Sequence, residues 1–163
     1  MQGPGGHSTL NVMSQRDPIR VFVTHAWEQS DDYQRVFEFL ESARNFYYRN
    51  CSNPEQHPVD KSVEGLREQL RQQIGPSEVV VALSSLYAAH RDLLVFQLHY
   101  AKASDKPVVL LPGFGREVVL PRDVSALADL RVGWDERALV DAIRLQARHE
   151  DTTRWDTIEF KIE

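Results

Sequence analysis

Apolar residues along this chain fall into short β-branched runs, and between those runs they recur every three or four positions. The first run, Ile19, Val21, Phe22 and Val23, ends at Thr24 and His25 and predicts a buried strand. Ser30 is placed to cap a helix whose residues Tyr33, Val36, Phe37 and Leu40 share one face. Phe46, Tyr47 and Tyr48 predict a short aromatic strand. A polar loop holding Pro54 and Pro58 then leads to a helix with Val63, Leu66, Leu70 and Ile74 on one side, stopped by Gly75 and Pro76. Val79–Leu83 is continuously apolar and valine-rich, the strongest strand signal in the chain. Ser84 and Ser85 end it, and a helix runs to Ala103. Lys106 and Pro107 introduce a fourth strand, Val108–Leu111, and Pro112, Gly113 and Gly115 turn the chain away. Leu130–Val132 is a weaker strand signal, and Asp135 caps a last helix carrying Leu139, Ala142 and Ile143. Ile158, Phe160 and Ile162 alternate as an edge strand would. Five strands alternating with four helices predict an α/β fold, a mostly parallel five-stranded sheet covered by helices on both faces.

In such a sheet ligands bind outside the carboxyl ends of the strands, where the strand order reverses. The loops that begin at His25, Arg49, Ser84 and Pro112 are therefore the places to look for a site. Residues 1–17, with Gly3, Pro4, Gly5 and Gly6 and no apolar period, read as a flexible leader before a single domain over 18–163.

Composition narrows the function. The 163 residues are 42% apolar and 26% charged, enough to enclose one core. A net charge of -5 disfavours a protein built to neutralise a phosphate backbone, so no nucleic-acid partner is expected. Cys51 is the single cysteine, which rules out an intrachain disulfide or a cysteine-rich zinc site and suits a reducing cytoplasm. The six histidines are not paired at ligand spacing, and no metal is expected. No apolar run is long enough to span a bilayer, so no membrane partner is expected either. No phosphate-binding loop, nucleophile elbow or dinucleotide glycine fingerprint follows a predicted strand. A phosphoacceptor aspartate at the end of the third strand is also missing, because Leu83 and Ser84 stand there.

Several segments, taken in order, resemble one family. They are Val21 to Trp27 followed by Ser30, Asp31, Asp32 and Tyr33; Tyr48 to Ser52; Ser84 to Ala88; and Phe96 to Lys102 followed by Lys106, Pro107 and Val108. Over roughly residues 19–147 the chain resembles the bacterial TIR-like domains, including the TIR proteins of Thoeris anti-phage systems. The resemblance implies a flavodoxin-like TIR-type three-layer fold. It also implies a hydrolase of NAD that breaks the nicotinamide glycosidic bond and makes an ADP-ribose-derived signal, linear or cyclic, for a partner effector protein. A non-catalytic TIR-like module working through self-assembly or partner binding is the alternative.

Gln97 decides between them, since it stands where the family carries its catalytic glutamate. Positive charge develops on the ribose as the bond breaks, and a carboxylate would stabilise it. An amide donates and accepts hydrogen bonds but carries no charge. Leu93, one turn earlier, stands where the family often has tryptophan. Gln97 is thus an inactivating replacement, the mark of a divergent member, or an ordinary polar helix residue. Because amide and carboxylate are nearly isosteric, Gln97→Glu is expected to restore charge without disturbing packing. His25, Ala26 and Trp27 are candidates to hold nucleotide phosphate and base, with Trp27 alternatively covering the end of the sheet. Arg49 and Asn50, in the loop after the second strand, are candidates for pyrophosphate, with a surface ion pair as the alternative for Arg49. Ser84 and Ser85 are candidates for nucleotide hydrogen bonds, and Tyr87 for stacking. Asp31 and Asp32 suit the helix dipole better than catalysis. Trp27, Arg49, Ser84 and Gln97 are expected to border one nucleotide-sized cleft.

Overall fold

The computed structural model describes residues 16–150. Most of the predicted leader and the edge strand expected at Ile158 to Ile162 lie outside the described residues. Five strands, β1 (Ile19–Val23), β2 (Tyr48–Asn50), β3 (Val79–Leu83), β4 (Val108–Leu111) and β5 (Leu130–Arg131), form one sheet in the order β2-β1-β3-β4-β5. Every pairing is parallel. Helices α1 (Asp31–Ser42), α2 (Val63–Ile74), α3 (Tyr87–Ala103) and α5 (Glu136–Arg148) make the crossovers and the outer layers. The α1 and α5 helices meet each other, and α2 meets α3, as a doubly wound α/β sheet requires. The short α4 (Arg122–Ser125) is an addition that apolar periodicity did not announce.

The core lies where the densest apolar runs predict it. All five residues of β3 are fully buried, and β4 is buried along its length, because helices cover both faces of these strands. Caps fix the helix starts. Ser30, Ser62 and Asp135 each accept a hydrogen bond from the backbone N–H three residues on, satisfying a donor that the helix leaves open. The second strand sits two residues later than its aromatic run predicts. Tyr48 pairs with Ile19, and Phe46 instead packs into the core before the strand begins.

At the amino-terminal edge of the sheet Glu78 gathers three segments. Arg148 grips it in a bidentate pair at 2.6 and 2.7 Å, and Arg20 donates from both backbone and side chain at 3.1 Å. Arg148 also reaches the carbonyl of Pro18 at 3.2 Å and lies 3.6 Å from the Asp17 carboxylate. Burial alone would raise the Glu78 carboxyl, but the Arg148 and Arg20 hydrogen bonds outweigh it and hold the group down at about 2. A depressed carboxylate stabilises the fold fully above the unfolded value of 4.5, and that contribution is lost as pH falls toward about 2. Glu78→Gln should therefore cost about 1–2 kcal/mol at neutral pH and little near pH 2, measurable as a melting difference from the parent that closes on acidification.

Candidate functional site

The carboxyl ends of β1 and β3 meet at the point where the strand order reverses. Thr24 joins them: its N–H donates to Val81 O at 3.0 Å, and its hydroxyl accepts from Leu83 N–H at 3.0 Å. His25 follows, 1% exposed. Its Nδ1 accepts from Trp27 N–H at 3.1 Å, which leaves Nε2 to carry the proton donated to Gln73 Oε1 at 2.8 Å. Burial, partly opposed by that Gln73 bond, lowers His25 from 6.5 to about 4, so the imidazole is neutral at physiological pH.

Gln97 lies deeper still, with no exposure at all. Its Oε1 accepts from His25 N–H at 3.1 Å, and its Nε2 donates to His25 O at 2.9 Å and to Leu93 O at 3.0 Å. One donor and two carbonyl acceptors around it fix the amide orientation. The side chain is a clip that holds the backbone of the β1 loop against α3. The expectation that Gln97 borders an open cleft is therefore corrected: its position on α3 points at the sheet, and the polar backbone of His25, which has already left the β1 ladder, claims its amide.

The loops after β1 and β2 are zipped together by a second set of polar groups. Gln73 on α2 also accepts from Asn53 N–H at 2.8 Å and donates to Asn53 O at 3.1 Å. Trp27, in the left-handed region at φ 61°, places its indole N–H on Gln56 O at 3.2 Å and its ring edge-on to His25. Asn50 donates to Tyr33 Oη, Tyr33 shares a hydrogen bond with Ser52 Oγ, and Ser52 donates back to Asn50 Oδ1, closing a ring of three side chains. Gly65 lets the β2 loop sit on α2, since a Cβ there would fall 2.1 Å from Asp60 O. Asp32, the predicted dipole partner of α1, does more than that: it pairs with Arg35 at 3.1 Å and accepts from Phe114 N–H at 3.4 Å, tethering the loop after β4.

The predicted site residues therefore divide. His25, Ala26, Trp27 and Gln97 come together at the β1 loop. Asn50 joins them through Tyr33. Arg49 and Asn50 belong to β2 itself and not to the loop after it, and Arg49, exposed, pairs in register with Arg20 on the outer side of β1. Tyr87 lines a cavity of about 490 Å³ whose walls run from Tyr87 to Leu93, where α3 departs from helical geometry at His90 (φ -137°, ψ 49°). Glu28 reaches His90 there at 3.9 Å. Ser85 lies half-buried between β3 and α3. Ser84 opens onto a separate cavity between the ends of β3, β4 and β5. Neither cavity counts Trp27, Arg49 or Gln97 among its walls, so neither is the single cleft expected to hold all four. The polar side chains of Thr24, His25, Asn50, Gln73 and Gln97 are bonded to one another and to the loop backbone, a rigid and uncharged support at the β1 end.

Gln73, Thr24 and Asn53 were missed by sequence reasoning. The available signal was Gln73 itself, a polar residue on the same face of α2 as Leu66 and Leu70, where an apolar one belongs.

Fold and site together define an open parallel α/β domain of flavodoxin-like layout, with an internally bonded polar cluster at its switch point. Residues 22–112, more than half of the chain, match the family described as "Thoeris protein ThsB, TIR-like domain". The chain belongs to that family, a TIR-like domain of anti-phage systems. Among solved structures it is similar to a 3-dehydroquinate dehydratase-like protein from Bifidobacterium longum, at 12% identity and a TM-score of 0.43, covering 80% of this chain and 95% of that one. No curated protein matches the chain in sequence. Among the described residues no helix is long and apolar enough to cross a membrane.

Proposed function

We propose that this Thoeris-type TIR-like domain serves anti-phage signalling as a non-catalytic module, acting by assembly with itself or with a partner protein and not by cleaving NAD. One observation carries the reading. Gln97, which the resemblance sets at the family's glutamate position, is an amide with no exposure, and both ends of that amide are spent on the His25 and Leu93 backbone. A group so placed touches no substrate and offers no charge to an oxocarbenium-like transition state.

The family match favours a second reading, an NAD-consuming enzyme that makes an ADP-ribose-derived signal. In this chain its carboxylate would have to come from elsewhere, and Asp92 and Glu28, beside the cavity at the α3 kink, are the groups within reach.

Nicotinamide release from NAD by the purified full chain, alone and with phage-infected lysate added, separates the two. Background release under both conditions is the expected result. Release above background that falls in Asp92→Asn or Glu28→Gln would overturn the non-catalytic reading and identify the acid.

A further inference from the structure

The cavity at the carboxyl ends of β3, β4 and β5 plays no part in the cluster around His25. It measures about 510 Å³, within the roughly 300–1,000 Å³ of small-molecule sites. Leu110, Val118, Leu120 and Val132 make its walls apolar. Two polar side chains among those walls are not used by the protein. Ser84 is only 3% exposed, yet its hydroxyl has no hydrogen-bond partner among the described residues. Most of the residue is enclosed, and its unpartnered hydroxyl keeps contact with solvent through the cavity, a position suited to a ligand atom. Arg131, on the edge strand β5, stands exposed in the same wall and forms no ion pair with a described residue. Ser125, by contrast, already donates to Arg122 O.

We propose that this cavity binds a small amphiphilic anion, with its apolar body against Leu110, Leu120 and Val132, a polar atom at its inner end meeting the Ser84 hydroxyl, and its acidic group meeting the Arg131 guanidinium. A guanidinium accepts either a carboxylate or a phosphate in a two-pronged pair, so the acidic group is fixed in charge and not in element. The site is separate from the β1 loop, and the proposal stands whether or not the domain acts on NAD.

Amide NMR spectra of the full chain, titrated with para-hydroxyphenylacetate and with para-hydroxyphenyl phosphate, test this, and para-ethylphenol serves as the probe without an acid. Saturable shifts centred on Ser84, Leu120, Val132 and Gly133 are expected at millimolar concentration. Arg131→Gln should weaken the acids about tenfold and leave para-ethylphenol unchanged, since a hydrogen bond to a charged group is lost. Ser84→Ala should weaken all three. Binding of one acid alone would support the site and identify its headgroup. Shifts that never saturate at these amides, or acid binding indifferent to Arg131→Gln, would overturn the proposal; the same spectra report whether each variant remains folded.

Discussion

Gln97→Glu should destabilise the domain by about 3 kcal/mol, a fall in melting temperature of roughly 6–12 °C for a chain of this size, without any gain in nicotinamide release. The near-identity of shape between amide and carboxylate suggests a harmless exchange, but the hydrogen bonds say otherwise. Nε2 faces the carbonyls of His25 and Leu93 at 2.9 and 3.0 Å, and a carboxylate oxygen in its place would set negative charge against two acceptors. No water reaches a side chain with no exposure, so the lost donors have no substitute. The defect should also shrink on acidification. A protonated carboxyl can donate one of the two missing bonds, whereas an ionised one can donate neither. Melting curves of variant and parent at matched pH values measure this. A Gln97→Glu protein as stable as its parent, or one that releases nicotinamide, would show that the clip does not hold.

Acid should loosen the same loop through His25. With a folded value of about 4 against an unfolded value of 6.5, the unfolded chain takes up the proton first. Stability from this group is complete above pH 6.5 and is lost as pH falls toward about 4, a total of about 3 kcal/mol. Protonation would turn Nδ1 into a donor facing the Trp27 N–H, and it would place charge at a residue 1% exposed. Chemical denaturation at a series of pH values should show the slope, and NMR titration of the His25 ring should show its late protonation. In His25→Leu the domain should be weaker at neutral pH and its dependence between pH 6.5 and 4 flatter. An unchanged slope in that variant would assign the acid sensitivity to other groups.

Much of the fold was legible because the sequence signals were redundant. The boundaries of β3 and β4 follow from unbroken apolar runs, and Ser30 and Asp135 start their helices through the capping bonds their side chains suggest. Aromatic residues misplaced β2, since Phe46 and Tyr47 suit a strand by propensity while the paired register begins at Tyr48, Tyr47 giving only its carbonyl to Ile19 N–H. The α4 turn left no periodic trace because four residues are too few to show one. Of the candidate residues, those at the β1 loop were legible in position and not in orientation. Family position brought Gln97 to the β1 loop, yet whether it faced solvent or backbone depended on where the His25 carbonyl points, and no local pattern encodes that. Gln73 could have warned of it, because a polar residue on a core face needs a buried partner, and here that partner is His25.

The sheet order also bears on how the chain is made. β1 emerges before the other strands but lies between β2 and β3, and its Val21, paired with Asn50 on one side, finds its second partner only when Val79 has emerged. Until then a nascent chain carries one satisfied and one open edge on its most apolar early strand, the kind of surface to which chaperones bind. From β3 onward growth is outward and sequential, β4 and then β5. Arg148, near the end of the described residues, closes on Glu78 and on the carbonyl of Pro18. A stall or truncation before Val79 would leave an aggregation-prone fragment, whereas one after Leu111 would leave four paired strands without β5 and without the α5 helix whose Leu139, Val140, Ala142 and Ile143 cover them.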